Sequence, residues 1–566
     1  MTRSVPRYRW IEPASPQTNE LSSFGLIGAI LTTRGVESRL DAERLLSHHQ
    51  DLIPDPSTLP DIDRAAGLIR QAIDAGERIA VFGDYDVDGV TSTALLVRSL
   101  RDLGADARAY LPHRERDGYG LNIGAIDRAA ADGCSLLIAV DCGTSDREQL
   151  SHARSRGLKT VVIDHHHVPS LDMPCDAFVS AKRPDSQHPF AEYCACGVAW
   201  QVLRYLNDGA MLDRYLPLVA LGTVADVVHL SGPNRAIVQR GLQLFESQAS
   251  PGLQALANAA GVKTGEIKSH HLGFLLGPRI NAAGRIDDPW TALNLLLTES
   301  ADEADELAHA LNDLNRQRQM LLDECIAEAR LVVESDGQSE RPVLVVRSPD
   351  WRIGLVGLVA SRLTEQFGRP VIALEQSSPL SRGSARSIDE FNVVEALHGC
   401  SDLLERFGGH AKAAGLTIET NRIGDFTDRI NEIFTREVGP QPPLPSLSLD
   451  AELDPALVSL DLVSELDALE PCGHGNPAPR FLLRDLLVFD AKRSRDQAHL
   501  LFNVQSRDGI NLRAVSFSGG DRLVELDKCA SVDLAVSLRP NTFRGRTSVT
   551  LEVIDFRPSG QASLAL

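Results

Sequence analysis

Asp84, Asp86 and Asp88 alternate between Gly83 and Gly89. Carboxylates this close repel one another unless a cation neutralises them. By itself the segment also reads as a solvated turn or a helix N-cap, both of which suit Asp. It is not an EF-hand loop, because the position of the bidentate Glu is Leu95. Further along, Asp164 is followed by His165, His166 and His167, and Asp141 and Asp226 each follow an apolar run. Adjacent histidines are costly to bury unless they are paired. Together these positions offer about five carboxylates and at least one imidazole, enough for two divalent metals. Imidazole among oxygen ligands moves the preference from Mg²⁺ or Ca²⁺ toward Mn²⁺, Fe²⁺, Co²⁺ or Zn²⁺, and the lack of thiolate argues against structural zinc. The simplest choice is two Mn²⁺ ions, with Mg²⁺ as a weaker substitute. Two ions about 3.5–4 Å apart activate water and stabilise both oxygens of an in-line displacement, so the chemistry is phosphoester hydrolysis.

Positioning these groups requires a rigid scaffold. Ile79–Phe82, Leu136–Val140, Val161–Ile163 and Leu218–Leu221 are apolar runs of strand length, each leading to an acidic residue. Helical stretches such as Thr91–Leu103 separate them. Short, wholly apolar strands alternating with helices predict a parallel sheet covered on both faces, with ligands at its carboxyl edge. Four strand ends of one sheet would then supply the cluster. The fold class is α/β. A parallel-sheet catalytic domain over 61–300 follows an N-terminal arm, 1–60, whose start carries Arg3, Arg7 and Arg9. Near-helical apolar spacing without Gly or Pro predicts a connector helix over 301–335. A second α/β domain over 336–437 has buried strands at Val343–Val346 and Val371–Leu374, and Gly-rich turns at Arg382–Ser387 and Gly408–Gly415 near helix candidates. A proline-rich linker, 438–446, leads to 447–566, where short β segments predict a small barrel.

The chain has 566 residues, 43% hydrophobic and 24% charged, with a formal net charge of -20. That is the composition of an ordinary multidomain globular protein. No apolar run approaches the roughly 18 residues that span a bilayer, and the N-terminus lacks the apolar stretch of a secretory signal. The nine cysteines include no C-x-x-C pair, which suits a reducing cytosol. No phosphate-cradling or dinucleotide fingerprint of the G-x-x-x-x-G-K-[ST] or G-x-G-x-x-G type is present. The net charge speaks against a nucleic-acid binder only if it is spread evenly. Residues 480–566 carry +3, leaving -23 on 1–479, so the barrel is slightly basic within an acidic protein.

GDYDVDG, VDCG, DHH and GTVADV, in this order and spacing, resemble the four motifs of the DHH phosphoesterase superfamily. The resemblance implies two Mn²⁺ ions held by Asp86, Asp88, Asp141, His165 and Asp226, with Asp141 bridging and His166 contacting the substrate phosphate. Phe82 stands where superfamily pyrophosphatases carry a metal-binding His, which adds Asp84 to the ligand set. The run from Gly408 to Gly415 resembles the GGHxxAAG motif of the DHHA1 domain, where glycines let backbone amides approach an anion and His410 and Lys412 add donors. Further segments are similar to the single-stranded-DNA-specific exonucleases of the superfamily: Arg114–Gly120, Gly277–Arg285, Ser348–Gly357, Gly383–Ser387 and Glu470–Arg480, the last at the start of an OB-fold. His113 departs from the Asn common at its position. The resemblance, over about 60–560, implies a 5′-to-3′ exonuclease of DNA repair and recombination. Arg114, Ser384 and Arg386 would bind the terminal 5′-phosphate, since guanidinium forks suit a dianion. Arg279, Asn281 and Arg285 would hold backbone phosphates or stabilise the turn before the connector helix. Gly408, Gly409 and His410 would bind phosphate, with His410 also assisting the leaving group. Phe502, Phe517 and Phe543 would stack on bases or fill the barrel core. Single-stranded DNA is the implied partner, with a single-stranded-DNA-binding protein and a helicase as protein partners, in a cytoplasmic monomer. Oligoribonucleases and cyclic-dinucleotide phosphodiesterases of the superfamily lack the C-terminal β domain. A scaffold with a degenerate site is disfavoured because every ligand position is filled.

Overall fold

The apolar runs Ile79–Phe82, Leu136–Val140 and Val161–Ile163 form the centre of a five-stranded sheet. Its strands are β1 (Arg78–Phe82), β2 (Asp106–Tyr110), β3 (Cys134–Val140), β4 (Lys159–Ile163) and β5 (Ala177–Val179), all parallel, in the order β2-β1-β3-β4-β5. Burial on both faces explains why the central strands read as unbroken apolar segments. The chain leaves β1 outward to β2 and returns past β1 to β3. This reversal opens a crevice at the carboxyl ends of β1 and β3. Asp84–Asp88 follow β1 and Asp141 follows β3.

The computed structural model describes residues 6–13, 20–46, 52–335, 338–543 and 545–560. The chain divides into one unit of His48–Asp323 with Glu470–Pro477 and another of Met1–Ser47, Glu324–Leu469 and Ala478–Leu566. In the first, helices α1 (Ile62–Asp74), α2 (Val87–Asp102) and α3 (Ala195–Leu206) bury apolar side chains in the sheet's core. Leu218–Leu221 is not a strand. It lies in helix α4 (Leu216–Ala225), of which Leu216 to Thr223 are all buried. A helix buried all round shows no amphipathic period, so a short apolar run cannot distinguish it from a strand. Asp226 therefore comes from a helix C-terminus, and three strand ends rather than four supply the cluster. Gly277–Arg285 is helical as well, within α5 (Gly277–Ile286), entered through a π-helical turn at Leu272–Leu276. Glu470–Pro477, expected at the start of the barrel, belongs to this first unit. The His474 carbonyl accepts from the Leu230 amide at 2.8 Å, and Arg235 donates to the Glu470 carbonyl at 2.7 Å. Helix α6 (Ala301–Ser335) covers the residues expected to be helical.

The second unit holds a mixed sheet of β6 (Leu344–Ser348), β7 (Val371–Glu375), β8 (Leu380–Arg386), β9 (Leu404–His410) and β10 (Ala413–Glu419), ordered β9-β10-β8-β7-β6, and helix α7 (Ile353–Phe367). Both segments expected as Gly-rich turns are strands, β8 and the β9–β10 hairpin. Their glycines obscure the β pattern because they lack side chains to pack. A barrel follows, of β11 (Phe481–Arg493), β12 (Leu500–Gln505), β13 (Asn511–Ser516), β14 (Val532–Phe543) and β15 (Arg546–Pro558). It closes through β14 pairing with both β11 and β15. The expected N-terminal arm, 1–60, is divided: its described residues up to 46 pack into this unit, whereas Ile53 and Leu59 lie in the core of the first. Leu21, Ile27, Ile30 and Leu31 lie in the barrel's core, and Arg9–Ile11 pairs in parallel with Ser446–Ser448. Arg3 lies outside the described residues. Phe502 is a core residue at 2% exposure and Phe517 is 55% exposed; the side chain of Phe543 lies outside the described residues. Among the described residues no helix is long and apolar enough to cross a membrane.

Candidate metal centre and phosphate-binding residues

The loop after β1 enters α2 with Asp86 as N-cap, its carboxylate accepting from the Gly89 amide at 3.1 Å. Asp88 lies in the helix's first turn. Its carboxylate accepts from the Ala195 and Cys196 amides at 2.6 and 2.9 Å, so the N-terminus of α3 holds it in place. The loop is close to the crossing of its own chain. A Cβ on Gly89 would lie 2.4 Å from the Asp84 carbonyl oxygen, so only glycine fits. Asp141 leaves β3 with φ of 60°, a left-handed turn that Asp tolerates. Asp226 caps the C-terminus of α4.

These side chains converge with the histidines that follow β4. His165 Nε2 is 3.3 Å from Asp141 Oδ1 and 3.8 Å from Asp88 Oδ2, while its Nδ1 is 3.6 Å from Asp226 Oδ2. Three sets of donor atoms each lie within 4.8 Å: Asp84, Asp86 and Asp141; Asp88, His165 and Asp226; and Asp141, Asp164, His165 and His166. Asp141 and His165 each belong to two sets. Asp84 Oδ1, His165 Nδ1 and Asp226 Oδ2 are buried atoms that no hydrogen bond satisfies. Burial and mutual repulsion push the carboxyls up: Asp84 and Asp141 well above the usual range, Asp88 to about 6 and Asp226 to about 9. Burial, with His166 beside it, lowers His165 to about 3, so its imidazole is neutral and has a lone pair to offer. Unsatisfied buried oxygens, repelling carboxylates and a neutral imidazole make a donor set that fits divalent cations.

His166 is treated differently. Its Nδ1 is 2.8 Å from Asp164 Oδ1, and although burial opposes the charge, Asp164 raises its pKa. Asp164 also accepts from the Thr144 hydroxyl and from the His165 amide at 2.5 and 2.7 Å. Burial pushes its own pKa up, yet the bond and charge of His166 hold it well below the usual range. His166 is thus held as a hydrogen-bond donor beside the cluster, and the Tyr119 hydroxyl lies 3.2 Å from its Nε2. Arg114 stacks its guanidinium 3.9 Å over the Tyr85 ring and donates from Nε to the Gly284 carbonyl at 3.0 Å. Arg279 donates to the Leu275 carbonyl at 2.7 Å, and Asn281 and Arg285 are half-buried on the same helix.

Three family models match the chain: the N-terminal domain of the DHH family over residues 78–223, the DHHA1 domain over 340–436 and the RecJ OB domain over 449–555. The single-stranded-DNA-specific exonuclease RecJ of Salmonella typhimurium is 34% identical over 559 residues, 94% of this chain and 96% of its own length. The chain belongs to the RecJ family. The Bacillus subtilis RecJ is 33% identical over 543 residues, covering 95% of this chain and 68% of that protein. The crystal structure of Thermus thermophilus RecJ in complex with Mn²⁺ superposes with a TM-score of 0.82 at 30% identity, covering 98% of this chain and 80% of that one. RecJ proteins thus share all three parts of this chain.

The remaining expected residues lie in the second unit and adjoin one another. β10 pairs Gly415 with Ser384 of β8 on one side and with Gly408 of β9 on the other. Arg386 donates to Ser384 Oγ at 2.8 Å, and Gly357 of α7 backs onto both: a Cβ there would lie 3.3 Å from each side chain. Gly409 has φ of 147°, and a Cβ there would meet the Ala413 carbonyl at 2.3 Å. His410 is exposed. Several contributors had no role in the sequence reading. Asp164 was visible only as the first letter of its motif, and Tyr119 as part of Arg114–Gly120. Lys182, whose charge lowers Asp226, and the α3 amides that fix Asp88 left no local signal.

Proposed function

We propose that this chain is a metal-dependent, single-strand-specific 5′-to-3′ exodeoxyribonuclease acting in DNA repair and recombination. One observation carries the proposal: buried carboxylates from two loops and a helix end surround a neutral His165, leaving buried oxygens without hydrogen-bond partners that divalent cations would satisfy. Asp84, Asp86, Asp88, Asp141, His165 and Asp226 would hold two divalent cations, Mn²⁺ preferred over Mg²⁺, with Asp141 serving both. When bound, such ions stabilise charge on phosphate oxygens and make water more acidic. His166, whose pKa Asp164 raises, donates to a phosphate oxygen of the substrate. Arg114, Ser384 and Arg386 take the terminal 5′-phosphate. Arg279, Asn281 and Arg285 hold backbone phosphates. The Gly408 and Gly409 amides and the His410 imidazole add donors to the anion and the leaving group. The slightly basic barrel, with Phe517 exposed, holds the strand upstream. Single-stranded DNA is the substrate, a single-stranded-DNA-binding protein and a helicase are protein partners, and the enzyme works as a cytoplasmic monomer. The named activity of the RecJ relatives and the Mn²⁺ in the T. thermophilus structure support this. Calorimetric titration of metal-free protein with Mn²⁺ tests it. Two ions should bind wild type with higher affinity than Mg²⁺, and Asp141→Ala should lose both binding and nuclease activity while melting normally. Turnover retained by Asp141→Ala in Mn²⁺ would sink the two-metal assignment.

A further inference from the structure

Phe274 is 80% exposed, the most exposed large hydrophobic side chain among the described residues. It lies in the π-helical turn Leu272–Leu276, whose end residues Leu272 and Leu276 are fully buried. π turns inside helices concentrate at functional sites. This one is clamped against the segments that carry two of the metal-centre carboxylates. A Cβ on Gly273 would lie 3.3 Å from Val224, and one on Gly277 would lie 3.4 Å from the Ala225 Cβ and 3.9 Å from Val87. Ala225 precedes Asp226, and Val87 precedes Asp88. On the other side of Asp226, Val227 is 61% exposed with φ of 60°. A β-branched residue is strained in that conformation, and such strain persists where the surroundings enforce it, commonly at functional sites. One exposed apolar side chain, Val227, thus follows Asp226 directly, and another, Phe274, lies on the turn packed against the segments that carry Asp88 and Asp226.

We propose that Phe274 is a stacking platform for a nucleobase of the strand, next to the phosphate held at the metal centre, with Val227 as the apolar shoulder beside it. This rests on the nuclease reading above and adds to it a binding residue. Of the parts of a nucleic acid, only a base offers a flat apolar face to an exposed aromatic ring, and single strands leave that face free whereas duplexes do not. Stacking of this kind is insensitive to base identity, which suits an exonuclease that must pass every sequence.

Steady-state hydrolysis of a single-stranded oligonucleotide in Mn²⁺ tests the proposal. Phe274→Ala should raise KM about 5- to 150-fold, the range expected for one lost base stack, with kcat little changed. Phe274→Trp should restore KM, and its added fluorescence should be quenched by single-stranded DNA. Abasic substitutions scanned along the 5′ end should include one position where wild type and Phe274→Ala become equal. If wild type cuts single strands and Phe274→Ala does so with unchanged KM, or if the penalty persists with every abasic strand, this proposal fails alone. If wild type leaves single strands intact, the nuclease reading fails and takes this proposal with it.

Discussion

Gly89 is not a proposed ligand, yet the acidic loop depends on it. An alanine Cβ at this position would lie 2.4 Å from the Asp84 carbonyl oxygen, 2.5 Å from its amide nitrogen and 2.6 Å from its carbonyl carbon. These are backbone atoms, so no side-chain rotation relieves the clash. Ordinary contact begins at 3.4 Å, so Gly89→Ala must move the Asp84 backbone by about 1 Å relative to α2. Misplacing a reacting constellation by about 1 Å costs on the order of 100-fold in rate, or about 2.7 kcal/mol at ~1.4 kcal/mol per tenfold. Overpacking adds a stability cost of about 1–3 kcal/mol. Gly89→Ala should therefore lower kcat/KM on single-stranded DNA by about two orders of magnitude and weaken Mn²⁺ binding, both measured on protein shown to be folded by circular dichroism. Gly67→Ala is the control. No heavy atom lies within 4 Å of a Cβ at 67, inside α1, so it should leave activity unchanged and gain about 0.5–1 kcal/mol of stability. A Gly89→Ala protein with wild-type activity and metal affinity would refute the steric reasoning.

Other consequences are measurable. In chelator-treated protein, Asp226 has a folded pKa of about 9 against an ordinary 3.8. Its protonated form favours the fold, so that stability is complete below about pH 4 and is lost as pH rises toward 9, by up to about 1.4 kcal/mol per pH unit. Urea midpoints of Asp226→Asn should fall less steeply with pH than those of wild type, the remaining slope coming from Asp84, Asp88 and Asp141, and a slope unchanged by the substitution would contradict the raised pKa of Asp226. Arg114→Ala should erase the preference for 5′-phosphorylated over 5′-hydroxyl strands, read by competition between the two; a preserved preference would move the 5′-phosphate elsewhere. In the barrel unit, Asp555 accepts from Trp10 Nε1 at 2.9 Å and pairs with the buried Arg522 at 2.7 Å. Arg522 keeps Glu525 as a second partner at 3.1 Å, so Asp555→Ala should cost about 1–3 kcal/mol, through the lost bond to Arg522 and the buried Trp10 Nε1 left without its acceptor, measured by urea denaturation; a cost below ~0.5 kcal/mol would mean that Asp555 does not tie the N-terminal segment to the barrel.

The central strands were legible because burial on both faces of a parallel sheet leaves a plain apolar run. β2 and β5 were not: one is polar at the sheet's edge and the other spans three residues. α4 was misread because full burial removes the period that marks a helix, and β8–β10 because their glycines suggest turns. The carboxylates of the site were legible because several acids following apolar runs are hard to explain otherwise. What fixes them was not. Asp88 is held by amides from a helix more than a hundred residues away, and the opposite shifts of His165, lowered by burial, and His166, raised by Asp164, depend on which imidazole Asp164 hydrogen-bonds. Phe274 gave no sequence signal, since an aromatic in the apolar run Leu272–Leu276 reads as core.

The most direct test follows both ends of one single strand through digestion in Mn²⁺, with wild type and Asp141→Asn side by side and a duplex of the same sequence as control. The 5′ label should appear first as mononucleotide while the 3′ label passes down a shortening ladder. The duplex should persist, and Asp141→Asn should release nothing. Early release of the 3′ label, equal cutting of the duplex or undiminished turnover by Asp141→Asn would contradict the assignment of this centre.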